Sequence, residues 1–119
     1  MSKKILVVED EPEVVKMIKS RLEANDYSVT SAFDGVEGLK QVGAEKPDLI
    51  ILDVMMPKMD GFTFLKELKH KFSHQTIPVI VLTAKAEMKD LFEMEGVVDY
   101  VIKPYEAKDL LERIQKYLR

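Results

Sequence analysis

Polar residues stand at the ends of four short apolar runs. Glu9 and Asp10 follow Ile5-Leu6-Val7-Val8, Asp53 follows Leu49-Ile50-Ile51-Leu52, Thr83 follows Val79-Ile80-Val81-Leu82, and Lys103 follows Tyr100-Val101-Ile102. If the first and second of these runs are neighbouring strands, Glu9, Asp10 and Asp53 converge, and carboxylates held together repel one another unless a cation lies between them. Hard oxygen ligands without His or Cys select Mg²⁺ or a similar ion, with water in the open positions. The ammonium of Lys103 and the hydroxyl of Thr83 both suit the oxygens of a phosphoryl group. The residues therefore describe a site for a phosphoryl group together with a divalent metal.

Such a site needs elements that bring distant residues to one edge. The four apolar runs are rich in β-branched residues and read as strands buried on both faces. Ser28-Val29-Thr30-Ser31-Ala32 alternates instead, as a strand nearer a sheet edge does. Between the strands lie helical patterns. Val14, Ile18 and Leu22 recur every fourth residue after Pro12, which suits a first helical turn. Asp34 with Glu37 forms a capping-box pattern that opens a helix carrying Val36 and Leu39. Leu65, Leu68 and Phe72 mark a third helix, Met88, Leu91 and Phe92 a weaker fourth over Glu87 to Glu95, and Leu110, Leu111, Ile114 and Leu118 a last one. Alternating strands and helices with right-handed crossovers give an α/β, doubly wound parallel sheet with helices on both faces. In open sheets of this kind ligands bind beyond the carboxyl ends of the strands, which is where the polar residues stand.

Composition narrows the function classes. The 119 residues include no Cys, which removes thiol catalysis, zinc-thiolate sites and iron-sulfur clusters. Lys and Arg total 18 against 21 Asp and Glu, and the net charge of -3 disfavours direct nucleic-acid binding. The apolar runs are too short for membrane insertion, and the start Met1-Ser2-Lys3-Lys4 is unlike a signal peptide, so a cytoplasmic location is expected. One domain over residues 1–119 is expected, with no residues after the last helix for an output domain. His70 and His74 lack further ligands at metal-site spacing and read as solvated.

From Lys4-Ile5-Leu6-Val7-Val8-Glu9-Asp10-Glu11 through Leu52-Asp53-Val54-Met55-Met56-Pro57 and Asp60-Gly61 to Thr83-Ala84 and Lys103-Pro104, the chain resembles the receiver domains of two-component response regulators. The resemblance implies a flavodoxin-like sheet of five strands in the order 2-1-3-4-5 with five helices. It implies that Asp53 is the phosphoacceptor, that Asp10, Asp53 and the backbone carbonyl of Met55 ligate Mg²⁺, and that Glu9 does so directly or through water. Thr83 is then the switch hydroxyl, Lys103 the phosphate-pairing cation and Tyr100 the switch aromatic, which turns inward as Thr83 moves toward the phosphoryl oxygens. Glu9 replaces the aspartate of many receivers, implying altered metal geometry rather than lost binding. The stretch from Thr83 to Lys103 is about two residues shorter than in typical members, roughly half a helical turn.

The implied function is a phosphorylation-dependent signalling switch rather than an enzyme that turns over a metabolite. It assists its own phosphorylation and autodephosphorylation. A sensor histidine kinase or phosphotransfer protein would supply the phosphoryl group, and a downstream protein would read the surface of the fourth helix, fifth strand and fifth helix. An Mg²⁺-dependent phosphatase with an aspartyl nucleophile shares the Asp, Thr and Lys chemistry. It usually carries a carboxylate two residues after the nucleophile, where this chain has Met55, which cannot act as a general acid. A flavin carrier of this fold needs a phosphate loop after the first strand, and Glu9-Asp10-Glu11-Pro12 repels phosphate there.

Overall fold

The computed structural model describes residues 2–53, 61–72, 77–83 and 97–118. Its elements are β1 (Lys4–Val8), α1 (Pro12–Glu23), β2 (Ser28–Ala32), α2 (Gly35–Glu45), β3 (Leu49–Asp53), α3 (Gly61–Lys71), β4 (Val79–Thr83), β5 (Asp99–Ile102) and α4 (Ala107–Tyr117). The strands form one parallel sheet in the order β2-β1-β3-β4-β5, as expected. Four helices fall among the described residues. The helix expected over Glu87 to Glu95 lies outside them.

Alternation of side chains along each strand divides the core between the two faces of the sheet. On one face Ile5, Val7, Ile51 and Leu82 pack against Ile18 and Leu22 of α1 and Leu110 and Ile114 of α4. On the other, Leu6, Val8, Leu52 and Val81 pack against Leu39 and Val42 of α2 and Phe64, Leu65 and Leu68 of α3. The three central strands are buried almost throughout because helices cover both of their faces.

Local signals explain where the elements begin. Pro12 occupies the start of α1, where its missing N–H costs nothing. Asp34 caps α2, its Oδ1 accepting from the Glu37 N–H at 2.8 Å. Two expectations need correction. Val36 is 43% exposed, and the inward face of α2 is instead Gly35, Gly38, Leu39 and Val42. The helix lies so close to β1 and α3 that a Cβ on Gly38 would meet Phe64 Cε1 at 2.9 Å and Val8 Cγ2 at 3.2 Å, so glycines line the contact. Ile102 is 39% exposed, because β5 is an edge strand rather than one covered on both faces. Among the described residues no helix is long and apolar enough to cross a membrane.

Candidate phosphoryl and metal site

The register places the carboxylates side by side. Val8 of β1 pairs with Leu52 of β3, so the next residues, Glu9 and Asp53, leave the sheet as neighbours. The Glu9 N–H donates to the Ala32 carbonyl at 3.0 Å, holding its backbone to the end of β2. One carboxylate oxygen from each of Glu9, Asp10 and Asp53 can be chosen so that all lie within 4.8 Å of one another. Glu9 and Asp53 are buried, at 1% and 6% exposure, and Asp10 is half-buried.

Lys103 comes to this cluster from the far side of β4. Its Nζ donates to Asp53 Oδ2 at 3.2 Å and stands 3.7 Å from Glu9 Oε1. The Lys103 N–H also donates to the Thr83 carbonyl at 2.7 Å, fixing the turn that launches the lysine side chain. The Lys103–Pro104 peptide bond is cis. Burial works against the ammonium of Lys103, but the charges of Asp53 and Glu9 outweigh it and hold its pKa above the usual lysine value.

Glu9 shows most plainly that Lys103 alone does not balance the three carboxylates. Burial, then a hydrogen bond shared with Asp53 and the Asp53 charge, push its carboxyl up to about 8, against a smaller lowering from the Glu11 N–H. That N–H donates to Glu9 Oε2 at 3.2 Å. Glu9 Oε1 is buried and accepts no hydrogen bond among the described residues, although the Lys103 charge stands near it. An orphaned acceptor within an all-oxygen donor set fits a hard divalent cation, which would satisfy that oxygen and relieve the repulsion together.

Thr83 ends β4 beside this cluster and is 1% exposed. Tyr100 does not join it. The tyrosine is only 7% exposed and packs with Val81 and Val97 in the core on the α2 and α3 side. The expected inward turn thus meets an aromatic residue already buried, because its apolar surface is covered in the core. Met55, whose carbonyl was expected to ligate metal, lies outside the described residues.

Sequence reasoning passed over Tyr105. It is half-buried next to the Lys103-Pro104 turn, and burial raises its phenol pKa while the Lys103 charge opposes the rise. An aromatic after Lys-Pro has no distinctive spacing, so no local signal pointed to it.

Residues 5–115 match the family described as the response regulator receiver domain. The chain belongs to that family. Its receiver domain is similar to the alkaline phosphatase synthesis transcriptional regulatory protein PhoP of Bacillus subtilis, at 43% identity over all of this chain and 50% of that protein. The DNA-binding dual master transcriptional regulator RpaA of Synechocystis is 36% identical over 98% of this chain and 49% of its own length. The receiver domain thus spans about half the length of these regulators. Among solved structures, chemotaxis protein CheY4 of Vibrio cholerae superposes with a TM-score of 0.91 at 30% identity, covering 98% of this chain and 99% of that one. Response regulator TrrA of Thermotoga maritima, solved in complex with Mg²⁺ and BeF, gives 0.86 at 31% identity over 97% and 98%. The flavodoxin-like fold and a place in two-component signalling follow from this membership.

Proposed function

We propose that this receiver domain, taking residues 1–119 as one unit, accepts a phosphoryl group on Asp53 and uses it to change a protein-binding surface. The observation that carries the reading is the 3.2 Å contact of Lys103 Nζ with Asp53 Oδ2 inside a buried carboxylate cluster. A carboxylate oxygen of Asp53 attacks the phosphorus of a phosphohistidine on a sensor kinase or phosphotransfer protein, or of acetyl phosphate. The bond from phosphorus to the leaving atom breaks, and the leaving imidazole or acetate keeps the electron pair. The product is an acyl phosphate bearing about two negative charges.

Glu9, Asp10, Asp53 and the Met55 carbonyl are the groups that would hold Mg²⁺. When bound, the metal supplies charge neutralisation at the phosphoryl oxygens. Lys103 pairs with a phosphoryl oxygen from its present position beside Asp53, and the Thr83 hydroxyl turns to another. The work of the protein is positioning and electrostatics, as is general for phosphoryl transfer, and the same groups assist hydrolysis of the product. Thr83 and Tyr100 lie on one face of the β4–β5 edge, since Val81 pairs with Tyr100 and Thr83 with Ile102. A movement of Thr83 is therefore relayed to that edge, which forms part of the surface a downstream protein reads. The phosphoryl group acts through its different contacts in two conformations. The net charge of -3 favours a protein partner over direct contact with nucleic acid.

Intact-mass analysis after incubation with acetyl phosphate and Mg²⁺ tests the assignment. One added phosphoryl group is expected on the wild type and none on Asp53→Asn. Equal labelling of the two proteins would refute Asp53 as the acceptor.

A further inference from the structure

An apolar hollow borders the carboxylate cluster, with Lys103 shared between the two. It is a groove of about 390 Å³ between α1 and α4, walled by Val14, Met17 and Ile18 on one side and Leu110 and Leu111 on the other. The Lys103-Pro104-Tyr105 turn closes one end. Met17, 51% exposed, is the most exposed of the large apolar side chains among the described residues. The volume falls within the roughly 300–1,000 Å³ range of small-molecule sites, which pair an apolar lining with a few polar anchors.

The charges along this groove are of one sign. Its charged lining residues are Arg21 and Lys103, and no carboxylate lines it among the described residues. Lys103 is held by Asp53 and Glu9, but Arg21 is exposed and has no carboxylate partner among the described residues. Arg21 follows Val14 by seven residues on α1, a rise of roughly 10 Å. An apolar trough two turns long thus runs toward an unmatched guanidinium, whose five donors suit a planar carboxylate. Arg21 lines the groove together with Met17 and Ile18, which puts it on the groove side of α1.

We propose that the groove between α1 and α4 binds a small amphipathic carboxylate, with its acid group on Arg21 and its apolar tail along Met17, Ile18 and Leu111. A cationic or uncharged amphiphile of the same length gains the apolar contact but no partner for Arg21.

Octanoate, 1-octanol and octylammonium, each below its aggregation threshold, provide a matched probe set for NMR titration of the full chain without Mg²⁺ or phosphodonor. Under those conditions the result does not depend on whether Asp53 accepts a phosphoryl group. Octanoate should shift the amides of Val14 to Leu22 and Ala107 to Leu111 saturably, with affinity about tenfold above the other two probes. Arg21→Gln, a change at an exposed position, should reduce octanoate to the affinity of octanol, and Met17→Asp should abolish its binding. Equal affinity for octanoate and octylammonium, an unaltered titration in Arg21→Gln, or shifts confined to other surfaces would each overturn the proposal. So would failure to saturate, which would leave the groove to a protein helix instead.

Discussion

Lys103 Nζ and Asp53 Oδ2 meet at 3.2 Å although 50 residues separate them in sequence and β4 lies between their strands. Two strand spacings amount to about 9–10 Å, a gap the lysine stem crosses from a turn tied to the end of β4 by the hydrogen bond from the Lys103 N–H to the Thr83 carbonyl. The ammonium is thereby aimed at the place where negative charge gathers on a phosphorylated Asp53. Lys103→Ala should slow phosphorylation by acetyl phosphate about 100-fold, the cost usual for one preorganised donor. Removing a cation beside three carboxylates should at the same time tighten Mg²⁺ binding. Rates from intact mass and affinities from titration calorimetry check both. An unchanged rate would remove Lys103 from the mechanism.

Glu9 gives the protein a pH dependence of definite sign. Its folded pKa, raised from 4.5 to about 8, means that the metal-free folded state prefers the protonated acid. Stability from this group is complete below the unfolded value near 4.5 and is lost as pH rises toward 8. Chemical denaturation without Mg²⁺ should therefore show stability falling across that window, with the slope largely removed in Glu9→Gln. Protons and Mg²⁺ compete for the same carboxylates, so stabilisation by millimolar Mg²⁺ should grow from pH 5.5 to pH 8. A metal effect that shrinks with rising pH would contradict this account.

The sheet was legible because its strands are apolar runs long enough to be buried and too short to be helices, and each ends on a residue that cannot stay in the core. The same feature placed Glu9, Asp10, Asp53, Thr83 and Lys103 at one edge of the sheet once the strands were taken as parallel neighbours. Val36 misled because periodicity alone gives apolar residues to the core, whereas α2 approaches β1 through Gly38, a residue with no hydropathy signal. Ile102 misled because composition does not tell an edge strand from a central one when the edge is rich in apolar residues. The burial of Tyr100 and the groove between α1 and α4 depend on contacts between distant segments, which no local spacing encodes.

Gly38 and Gly43 of α2 should respond to alanine with opposite signs. At Gly38 an added methyl would meet the ring of Phe64, itself fully buried, at 2.9 Å. Overpacking of this kind costs about 1–3 kcal/mol, against about 1 kcal/mol gained from helix propensity. At Gly43 the nearest contact is Phe72 Cζ at 3.6 Å, an ordinary separation. Gly38→Ala should therefore lower stability by about 1 kcal/mol and Gly43→Ala should raise it by about 0.5–1 kcal/mol. Urea denaturation at constant Mg²⁺ compares them directly, and a stabilised Gly38→Ala protein would show that Phe64 yields easily.

Thr83 and Tyr100 allow the relay to be separated from simple core packing. Both are buried, on strands paired so that Val81 faces Tyr100 and Thr83 lies two residues further along the same face. As a core residue, Tyr100 should tolerate Phe with a loss near 1 kcal/mol, while Tyr100→Ala should lose about 3–5 kcal/mol. A relay demands more than this. With 3-fluorotyrosine incorporated, the ¹⁹F resonance of Tyr100, assigned by its absence in Tyr100→Phe, should move when Mg²⁺ and beryllofluoride fill the Asp53 site. In Thr83→Ala the mimic should still bind, because Asp53, Lys103 and the carboxylates remain, but the Tyr100 resonance should move much less. An equal displacement in the two proteins would mean that the Asp53 site reaches the β5 edge by a path that does not include Thr83.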